Sequence, residues 1–507
     1  MASTSNSRIA KNSLILYADL IISSVIMIFA ARFLLEALGV RDFGLYNVVG
    51  GIVVLLNVVN TAMISTSYRY IAFEMGKAES GDPNKVFNTC QAIHLAISIA
   101  IVIIGWPIGN YYIQHYLNVD GSTIGDAKFV FVFSVCTCAI STFTVPYLGL
   151  ITAKERFSIK AGINILRNLI RLCLIVLLLN ISGNHICIYA VFAFIPELLV
   201  AILYVVYCQK KYDEITKWKW VKDLVLYKEM ILFAFWILLG AVARIGKTQG
   251  AALIVNFFYG TVLNAALAVA NQVNGFVSLA TNSLSQAAVP QITKSYSGGD
   301  TDRSIQLVVY ISKYTFIMML LVCTPLLMQT QWLLDLWLND VPQYTRSFVQ
   351  LVLLDAMITC LGAGIPALYQ ATGKIRIFQI SLSVILLSSI LFGYFAYKWN
   401  FGPNSLLIIY CIMSFVDRIV AVILLKVVLH LDLKPLLKFS YLNSLKLSIF
   451  LIPLYWINLS LTGPILSPVM IVVSEFLMIL LVFVAGLSRH EKEIAVGFAK
   501  SAIRKLI

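Results

Sequence analysis

Residues 146–156, PYLGLITAKER, recur 220 positions later as residues 366–376, PALYQATGKIR. The proline, leucine, threonine, lysine and arginine are identical and keep the same spacing, and each copy runs from an apolar segment into a basic turn. A second match at nearly the same offset relates residues 80–82 to residues 298–300. The pattern predicts that the chain arose by duplication and has two related halves of roughly 218 residues.

The composition places the chain in a membrane. Hydrophobic residues make up 60% of its 507 residues and charged residues only 12%, which cannot provide the wetted surface of a soluble globule. The apolar runs are continuous rather than alternating, and this favours helices over the strands of a membrane barrel. The sequence therefore predicts an all-α polytopic membrane protein.

The apolar runs provide about fourteen transmembrane helices of about 20 residues each. The predicted spans are 12–32, 43–64, 86–112, 128–150, 161–181, 186–208, 231–256, 263–290, 305–328, 346–370, 377–399, 403–428, 441–460 and 464–486. The duplication groups the first twelve into two six-helix bundles around a central cavity and leaves two additional C-terminal helices. In order, the predicted segments are a first half at 1–208, a basic linker at 209–230, a second half at 231–428, the additional spans at 429–486 and a tail at 487–507.

Loop charges predict the orientation, because Lys and Arg remain on the cytoplasmic side of short loops. The chain has 38 of these residues. An amino terminus on the inside assigns about 25 of them to cytoplasmic segments, about 5 to outer loops and about 8 to spans. We therefore expect both termini in the cytoplasm.

The linker and the tail both carry signals of a membrane surface. The linker contains six lysines with Trp218 and Trp220 between them, and Trp at headgroup level beside Lys favours anionic membrane lipids over nucleic acid as the partner. From Arg489 to Ile507 apolar residues fall at helical spacing, which predicts an amphipathic surface helix. The net charge of +14 then mostly reflects the membrane topology. We expect no nucleic-acid partner.

Neither metal binding nor catalysis is expected. All 9 cysteines lie in or beside apolar spans, with no Cys-x-x-Cys pair and no histidine at ligand spacing. No connection between spans exceeds about 22 residues, which leaves no room for a soluble catalytic domain. Glycine-rich phosphate loops and nucleophile elbows are missing from the sequence as well. We predict a transporter rather than an enzyme, without a cofactor.

Cations inside the predicted spans are the main candidates for a substrate site. Each costs about 2.5 to 3.5 kcal/mol at a helix centre unless a partner or an aqueous cavity receives it. Arg244 and Lys247 lie deep in the seventh span and share one helix face, where they repel unless an anion or water separates them. We predict that both bind an anionic substrate. Arg171, Lys313 and Arg418 would extend this cationic cavity, although a local contact or a salt bridge would also satisfy Arg418.

Acidic and amide side chains complete the set of candidates. Each embedded acid is a salt-bridge partner, a proton carrier or a cation site, and the candidates for coupling to H+ or Na+ are Asp19, Glu197, Asp355 and Asp417. The eighth span carries a polar face at helical spacing that includes Asn271 and Asn274, and the second span carries a related face. Two polar walls, one in each half, predict a cavity between the halves.

A motif after the first span points to a family. Its residues are Leu38, Gly39, Phe43, Gly44, Leu45 and Tyr46. The pattern Leu-Gly-x-x-x-Phe-Gly-Leu-Tyr resembles that of oligosaccharide flippases in the multidrug/oligosaccharidyl-lipid/polysaccharide exporter superfamily. The resemblance covers most of the chain, because fourteen spans arranged as two six-span halves plus two extra spans also fit this family.

The resemblance implies a flippase of the O-antigen type, working by alternating access. Such a protein moves undecaprenyl-pyrophosphate-linked oligosaccharide from the cytoplasmic to the periplasmic leaflet of a bacterial cytoplasmic (inner) membrane, for lipopolysaccharide O-antigen or capsule biosynthesis. Its partners would be the lipid-linked oligosaccharide and other polysaccharide-assembly proteins. Embedded Arg and Lys side chains can bind a pyrophosphate by charge and hydrogen bonding, and the amide side chains of the polar walls can hydrogen-bond to sugar hydroxyls.

Three alternatives remain open at this point. A lipid II flippase also binds an anionic substrate, so the candidate residues do little to distinguish it from a flippase of the O-antigen type. An ion-coupled multidrug antiporter has the same fold, but its cationic drugs would favour a site without several deep cations. A polysaccharide polymerase, from a different class, would act on the same lipid-linked sugars.

Overall fold

The computed structural model describes residues 2–77, 80–115, 124–338, 341–461, 463 and 465–493. Its helices in chain order are α1 (Ala2–Gly76), α2 (Pro83–Ala100), α3 (Trp106–His115), α4 (Ile124–Ala153), α5 (Phe157–Leu178), α6 (His185–Lys211), α7 (Asp213–Thr216), α8 (Leu224–Ser297), α9 (Thr301–Met328), α10 (Thr330–Trp337), α11 (Thr345–Cys360), α12 (Ile365–Thr372), α13 (Ile375–Lys398), α14 (Ser405–Leu429), α15 (Lys434–Leu436), α16 (Leu442–Ile449), α17 (Leu451–Ser460) and α18 (Leu466–Leu481). Single π-helical turns follow α2, α15 and α18. The predicted all-α, polytopic architecture is confirmed. Most of the predicted amphipathic tail, residues 494–507, lies outside the described residues.

Within these ranges, eleven helices are long and apolar enough to cross a membrane, and the bent pair α11 and α12 would make a twelfth. Fourteen spans were predicted from the sequence. The predicted span 441–460 is interrupted, because α16 ends at Ile449 and α17 begins at Leu451. Pro453 has no N–H to donate to the Ile449 carbonyl, and this favours a break at that point. The predicted span 43–64 forms part of α1.

The two longest helices, α1 and α8, each bend at one glycine. Gly39 has φ 69° and ψ 170°, and Gly260 has φ 75° and ψ −167°. This backbone region is essentially restricted to glycine. Each kink separates two predicted spans, and the kinks lie 221 positions apart. The duplication inferred from the sequence therefore extends to the backbone conformation.

The chain packs as two compact units. Unit 1 comprises Met1–Val242, Gln286–Thr301 and Gln370–Arg376, and unit 2 comprises Ala243–Ser285, Asp302–Tyr369 and Ile377–Ile507. Apolar side chains from α2, α4 and α6, such as Phe87, Leu150 and Tyr204, form part of the core of unit 1. The core of unit 2 is built on α8, α9, α11 and α14 and includes the fully buried Leu320 and Phe348. The division of the sequence into five predicted segments stays a prediction.

Candidate transport site

Unit 2 contains a polar cavity of about 400 Å³. Three helices supply its charged side chains, and because α8 bends, both of its arms line the same cavity. Its charged and amide residues include Arg244, Lys247, Asn271, Asn274, Asp355, Asp417 and Arg418. Five of the seven predicted substrate-binding residues and two of the four predicted ion-coupling acids therefore come together here.

Lys247 forms an ion pair inside this cavity. Its Nζ donates to Oδ2 of Asp355 at 2.8 Å, to Oδ1 of the same carboxylate at 3.1 Å and to the Ser414 hydroxyl at 3.3 Å. The ammonium also lies 4.6 Å from the centre of the Tyr410 ring, whose hydroxyl donates to the Lys247 carbonyl at 2.9 Å. The protein itself thus balances the charge of Lys247.

Arg418 is held by its immediate surroundings. Its guanidinium pairs with Asp417, and Nη1 donates to the Thr359 carbonyl at 3.4 Å. A Cβ at Gly362 would clash with Nη1, so the glycine allows the guanidinium to lie against the connection between α11 and α12. Of the possibilities predicted for Arg418, the structure shows the local contact, with the adjacent Asp417.

Arg244 differs from both of these cations. Its side chain is exposed in the cavity, and among the described residues its guanidinium has no hydrogen-bond or ion-pair partner. The described residues that line the cavity include three cations and two carboxylates, and the one net positive charge that results resides on Arg244. A guanidinium presents five N–H donors in a planar fork that fits phosphate oxygens. The site is therefore suited to receive one compact anion.

The amide wall predicted from α8 also lines this cavity. Asn274 accepts a hydrogen bond from the Ser278 hydroxyl at 3.2 Å, and Asn271 lies one turn before it. In the related second span, Asn60 is buried and bonds to Ser141 and Thr142, so its amide is used within unit 1. The α8 wall leaves amide groups available for a hydroxyl-rich ligand.

The other two predicted acids belong to one hydrogen-bond network in unit 1. The Asp19 carboxylate accepts from the Ser23 hydroxyl at 3.0 Å and from the Asn164 amide at 2.8 Å. Arg167 donates to the Asn164 amide oxygen, and its Nη1 lies 3.7 Å from Glu197. The network combines two carboxylates, neutral donors and one cation. Asn164 was not among the residues predicted from the sequence, although it lies only three positions before Arg167.

The last two predicted substrate-binding residues do not line the cavity of unit 2. Arg171 donates to the Tyr189 hydroxyl at 2.9 Å in unit 1. Lys313 bonds to Glu491 at 2.6 Å, and the same carboxylate accepts from Tyr314 at 2.7 Å. Burial acts to raise the pKa of Glu491, but the hydrogen bonds from Lys313, Tyr314 and a backbone N–H lower it to about 2. Lys313 therefore anchors the segment that follows α18.

Two contacts in unit 1 follow the duplication, and we call them together the repeat clasp. Near the end of α1, Arg69 donates from Nε to the carbonyl of Gln370, within the second copy of the repeated stretch, at 2.8 Å. Near the end of α8, Lys294 bonds at 2.6 Å to Glu155, within the first copy, and Gln291 donates to the same carboxylate. Each long helix thus ends against the repeated turn from the opposite half of the sequence. These contacts were not predicted from the sequence, because charged side chains at the ends of spans ordinarily face water.

No protein-family model and no curated protein matches this sequence. Solved structures do match. A MOP superfamily transporter from Pyrococcus furiosus is 12% identical with a TM-score of 0.68, over 82% of this chain and 94% of that chain. An outward-facing multidrug resistance MATE family transporter is 13% identical with a TM-score of 0.69, over 82% and 93%.

A third structure is the MATE transporter ClbM in complex with Rb+, which is 14% identical with a TM-score of 0.67, over 82% of this chain and 94% of that chain. At these identities the likeness shows the fold alone. The fold expected from the sequence motif is confirmed, whereas membership of the superfamily stays a prediction. The chain is a multi-pass membrane protein with the fold of the MATE transporters of the MOP superfamily.

Proposed function

We propose that this protein is a flippase that translocates undecaprenyl-pyrophosphate-linked oligosaccharide from the cytoplasmic to the periplasmic leaflet of a bacterial inner membrane. The product would serve surface polysaccharide biosynthesis, as O-antigen or capsule. In this proposal both termini are cytoplasmic and the basic linker rests on anionic lipids. Other polysaccharide-assembly proteins would supply and consume the substrate.

The observation that carries the proposal is the guanidinium of Arg244, which has no partner among the described residues and lies in a cavity whose described lining has one net positive charge. A pyrophosphate is a compact anion whose oxygens match the arginine fork. Hydrogen bonds to a charged group contribute about 1.5 to 3 kcal/mol. The amides of Asn271 and Asn274 would bind sugar hydroxyls next to it, while the lipid tail stays in the bilayer.

Transport in this proposal follows alternating access. The repeat clasp supports it, because its contacts join helix ends and turns from both halves of the sequence. Both contacts are polar: the Arg69 guanidinium donates to a backbone carbonyl, and Lys294 pairs with the carboxylate of Glu155. The clasp would open and re-form in each cycle, giving the substrate access from one side at a time.

The energy for outward movement has two candidate sources. Moving an anion out of a negative interior is favoured by about 2.3 kcal/mol per charge for each 100 mV. The network around Asp19 and Glu197 would in addition bind H+ or Na+, and the likeness to a MATE transporter solved with Rb+ supports a cation site in this fold. Asp355 and Asp417, by contrast, are engaged by Lys247 and Arg418.

A multidrug antiporter is the second candidate. The rings of Phe378 and Tyr410 line the same cavity as the carboxylate of Asp355, and an organic cation would replace Lys247 as the partner of that carboxylate. Multidrug transporters are among the proteins with this fold. The Pyrococcus furiosus transporter is described as having a binding pocket of reverse polarity that suggests a different function. Pocket charge is thus the property that separates the two candidates.

The test is translocation of the lipid-linked oligosaccharide by purified protein in vesicles, run beside efflux of an organic cation. Arg244→Gln should lower oligosaccharide translocation about 10- to 100-fold, because a charged hydrogen-bonding group is lost. Lys247→Gln removes a cation that Asp355 already balances, and it should have the smaller effect. Normal translocation by the double variant Arg244→Ala, Lys247→Ala, or efflux of the organic cation alone, would refute the anion site.

A further inference from the structure

Unit 1 contains a second cavity, of about 530 Å³, where the linker packs against α2. Its walls combine aromatic and aliphatic side chains of α2 and α4 with polar side chains of the linker. Its lining residues include Gln91, Leu95, Phe143, Asp213, Lys217 and Trp218. The cavity is separate from the residues of the transport site and does not depend on the proposed function.

The linker wall of this cavity is fixed in place. The Asn84 amide donates to three linker carbonyls at 2.9 to 3.0 Å. The buried Asn88 amide donates to the Lys217 carbonyl at 3.0 Å, and its oxygen accepts the Lys219 N–H at 3.2 Å. Two asparagines in the first turns of α2 therefore hold the linker backbone, and the cavity beside it is preformed.

Gln91 supplies the strongest indication of a ligand. Its side chain is only 4% exposed and lines the cavity. Neither its amide nitrogen nor its amide oxygen has a hydrogen-bond partner among the described residues. A buried amide without partners is costly. A ligand that offers an acceptor and a donor at this depth would satisfy both atoms.

The charges at the linker side form a complementary pair. Asp213 and Lys217 lie four positions apart at the α7 turn, and neither side chain has an ion-pair partner in the described part of the chain. Trp218 is 51% exposed beside them. An exposed indole next to a lysine is typical of the headgroup level of a membrane. The arrangement fits a ligand that carries an ammonium for the carboxylate and a phosphate for the lysine.

The opposite part of the cavity is apolar. Leu95 lies seven positions beyond Asn88 on α2, about 10 Å farther along the helix axis. Its side chain is 40% exposed, on a helix that is long and apolar enough to cross a membrane. Phe143 of α4 lines the same part of the cavity. The cavity thus changes from zwitterionic to apolar along its length, as a phospholipid does.

We propose that this cavity binds a membrane phospholipid whose headgroup carries a phosphate and a primary ammonium, such as phosphatidylethanolamine. Asp213 receives the ammonium and Lys217 the phosphate. Gln91 hydrogen-bonds to the glycerol ester region, and one acyl chain runs along Phe143 and Leu95. A primary ammonium donates hydrogen bonds to a carboxylate, whereas the quaternary ammonium of phosphatidylcholine has no N–H to donate.

The experiment is native mass spectrometry of the delipidated full-length protein, titrated in mixed micelles with phosphatidylethanolamine, phosphatidylcholine or phosphatidylglycerol. Wild-type protein should bind one phosphatidylethanolamine at least about tenfold more tightly than either other lipid. Gln91→Leu and Asp213→Asn should each remove that preference. Lys217→Gln should weaken binding, while Lys219→Gln, on an exposed lysine that does not line the cavity, serves as the matched control and should leave it unchanged.

Three outcomes would overturn the proposal. Stronger binding of phosphatidylglycerol, insensitive to Asp213→Asn, would mean recognition of an anion alone. Equal losses for Lys217→Gln and Lys219→Gln would mean general attraction to the basic linker. Unchanged binding in Gln91→Leu would place the lipid elsewhere. Because Asp213 is exposed, its variant keeps the test valid even if Gln91→Leu lowers the thermal stability.

Discussion

Replacing Lys247 or Asp355 alone should destabilise unit 2 more than replacing both. The Nζ lies 2.8 and 3.1 Å from the two carboxylate oxygens, and the side chains are 12% and 21% exposed. At about 3 Å and an effective dielectric constant of about 20, the gross attraction is about 5 kcal/mol. Desolvation offsets much of this, but removing one partner leaves a poorly solvated charge and costs about 3 kcal/mol.

The double variant Lys247→Gln, Asp355→Asn exchanges the ion pair for two amides that can hydrogen-bond to each other. We expect each single variant to lower the free energy of unfolding by about 2 to 3 kcal/mol and the double variant by about 1 kcal/mol, which corresponds to a coupling energy of about 3 to 5 kcal/mol. The assay is unfolding of the purified protein in detergent micelles by titration with a denaturing detergent. Additive losses in the double variant would refute the pairing and with it the assignment of the net charge to Arg244.

Three further predictions concern other parts of the chain. The depressed pKa of Glu491 means that its ion pair contributes fully above the ordinary value of 4.5 and is lost as the pH falls through about 2; thermal unfolding of Glu491→Gln should lack this acid-side dependence. Gly260→Ala, in a backbone region essentially restricted to glycine, should lower the free energy of unfolding by about 1 to 3 kcal/mol, whereas the control Gly275→Ala, in the same helix with open space around it, should be neutral or stabilising. Glu155→Gln should accelerate amide hydrogen exchange in residues 286–297 several-fold without changing exchange in the rest of α8; unchanged exchange would mean that the clasp holds by other contacts.

Much of the helical architecture could be predicted from local signals. Continuous apolar runs of sufficient length specify spans wherever they occur, and the repeated stretches at 146–156 and 366–376 specify the duplication. The interruption before Pro453 was harder to predict from the sequence. Hydropathy reports the length and composition of an apolar run, but not whether every backbone carbonyl accepts a hydrogen bond from an N–H group. The kinks at Gly39 and Gly260 were assigned simply as boundaries between spans.

The candidate site was predictable in composition but not in pairing. Depth within a span selected Arg244 and Lys247 together, because both face the same energetic cost in hydrocarbon. The partner of Lys247 lies 108 positions away, and only the packing of α8 against α11 and α14 distinguishes the balanced lysine from the unbalanced arginine. Lys313 had the same signature, yet it bonds to Glu491, 178 positions away. Pairing over such distances depends on tertiary structure.

The central claim is tested most directly by the leaflet distribution of undecaprenyl-pyrophosphate oligosaccharide in bacterial cells depleted of this protein, with either wild-type protein or Arg244→Gln supplied back. We predict that the lipid-linked oligosaccharide accumulates in the cytoplasmic leaflet and that only the wild type restores its export. An unchanged distribution after depletion, in cells without a redundant flippase, would contradict the account and favour the antiporter or the polymerase.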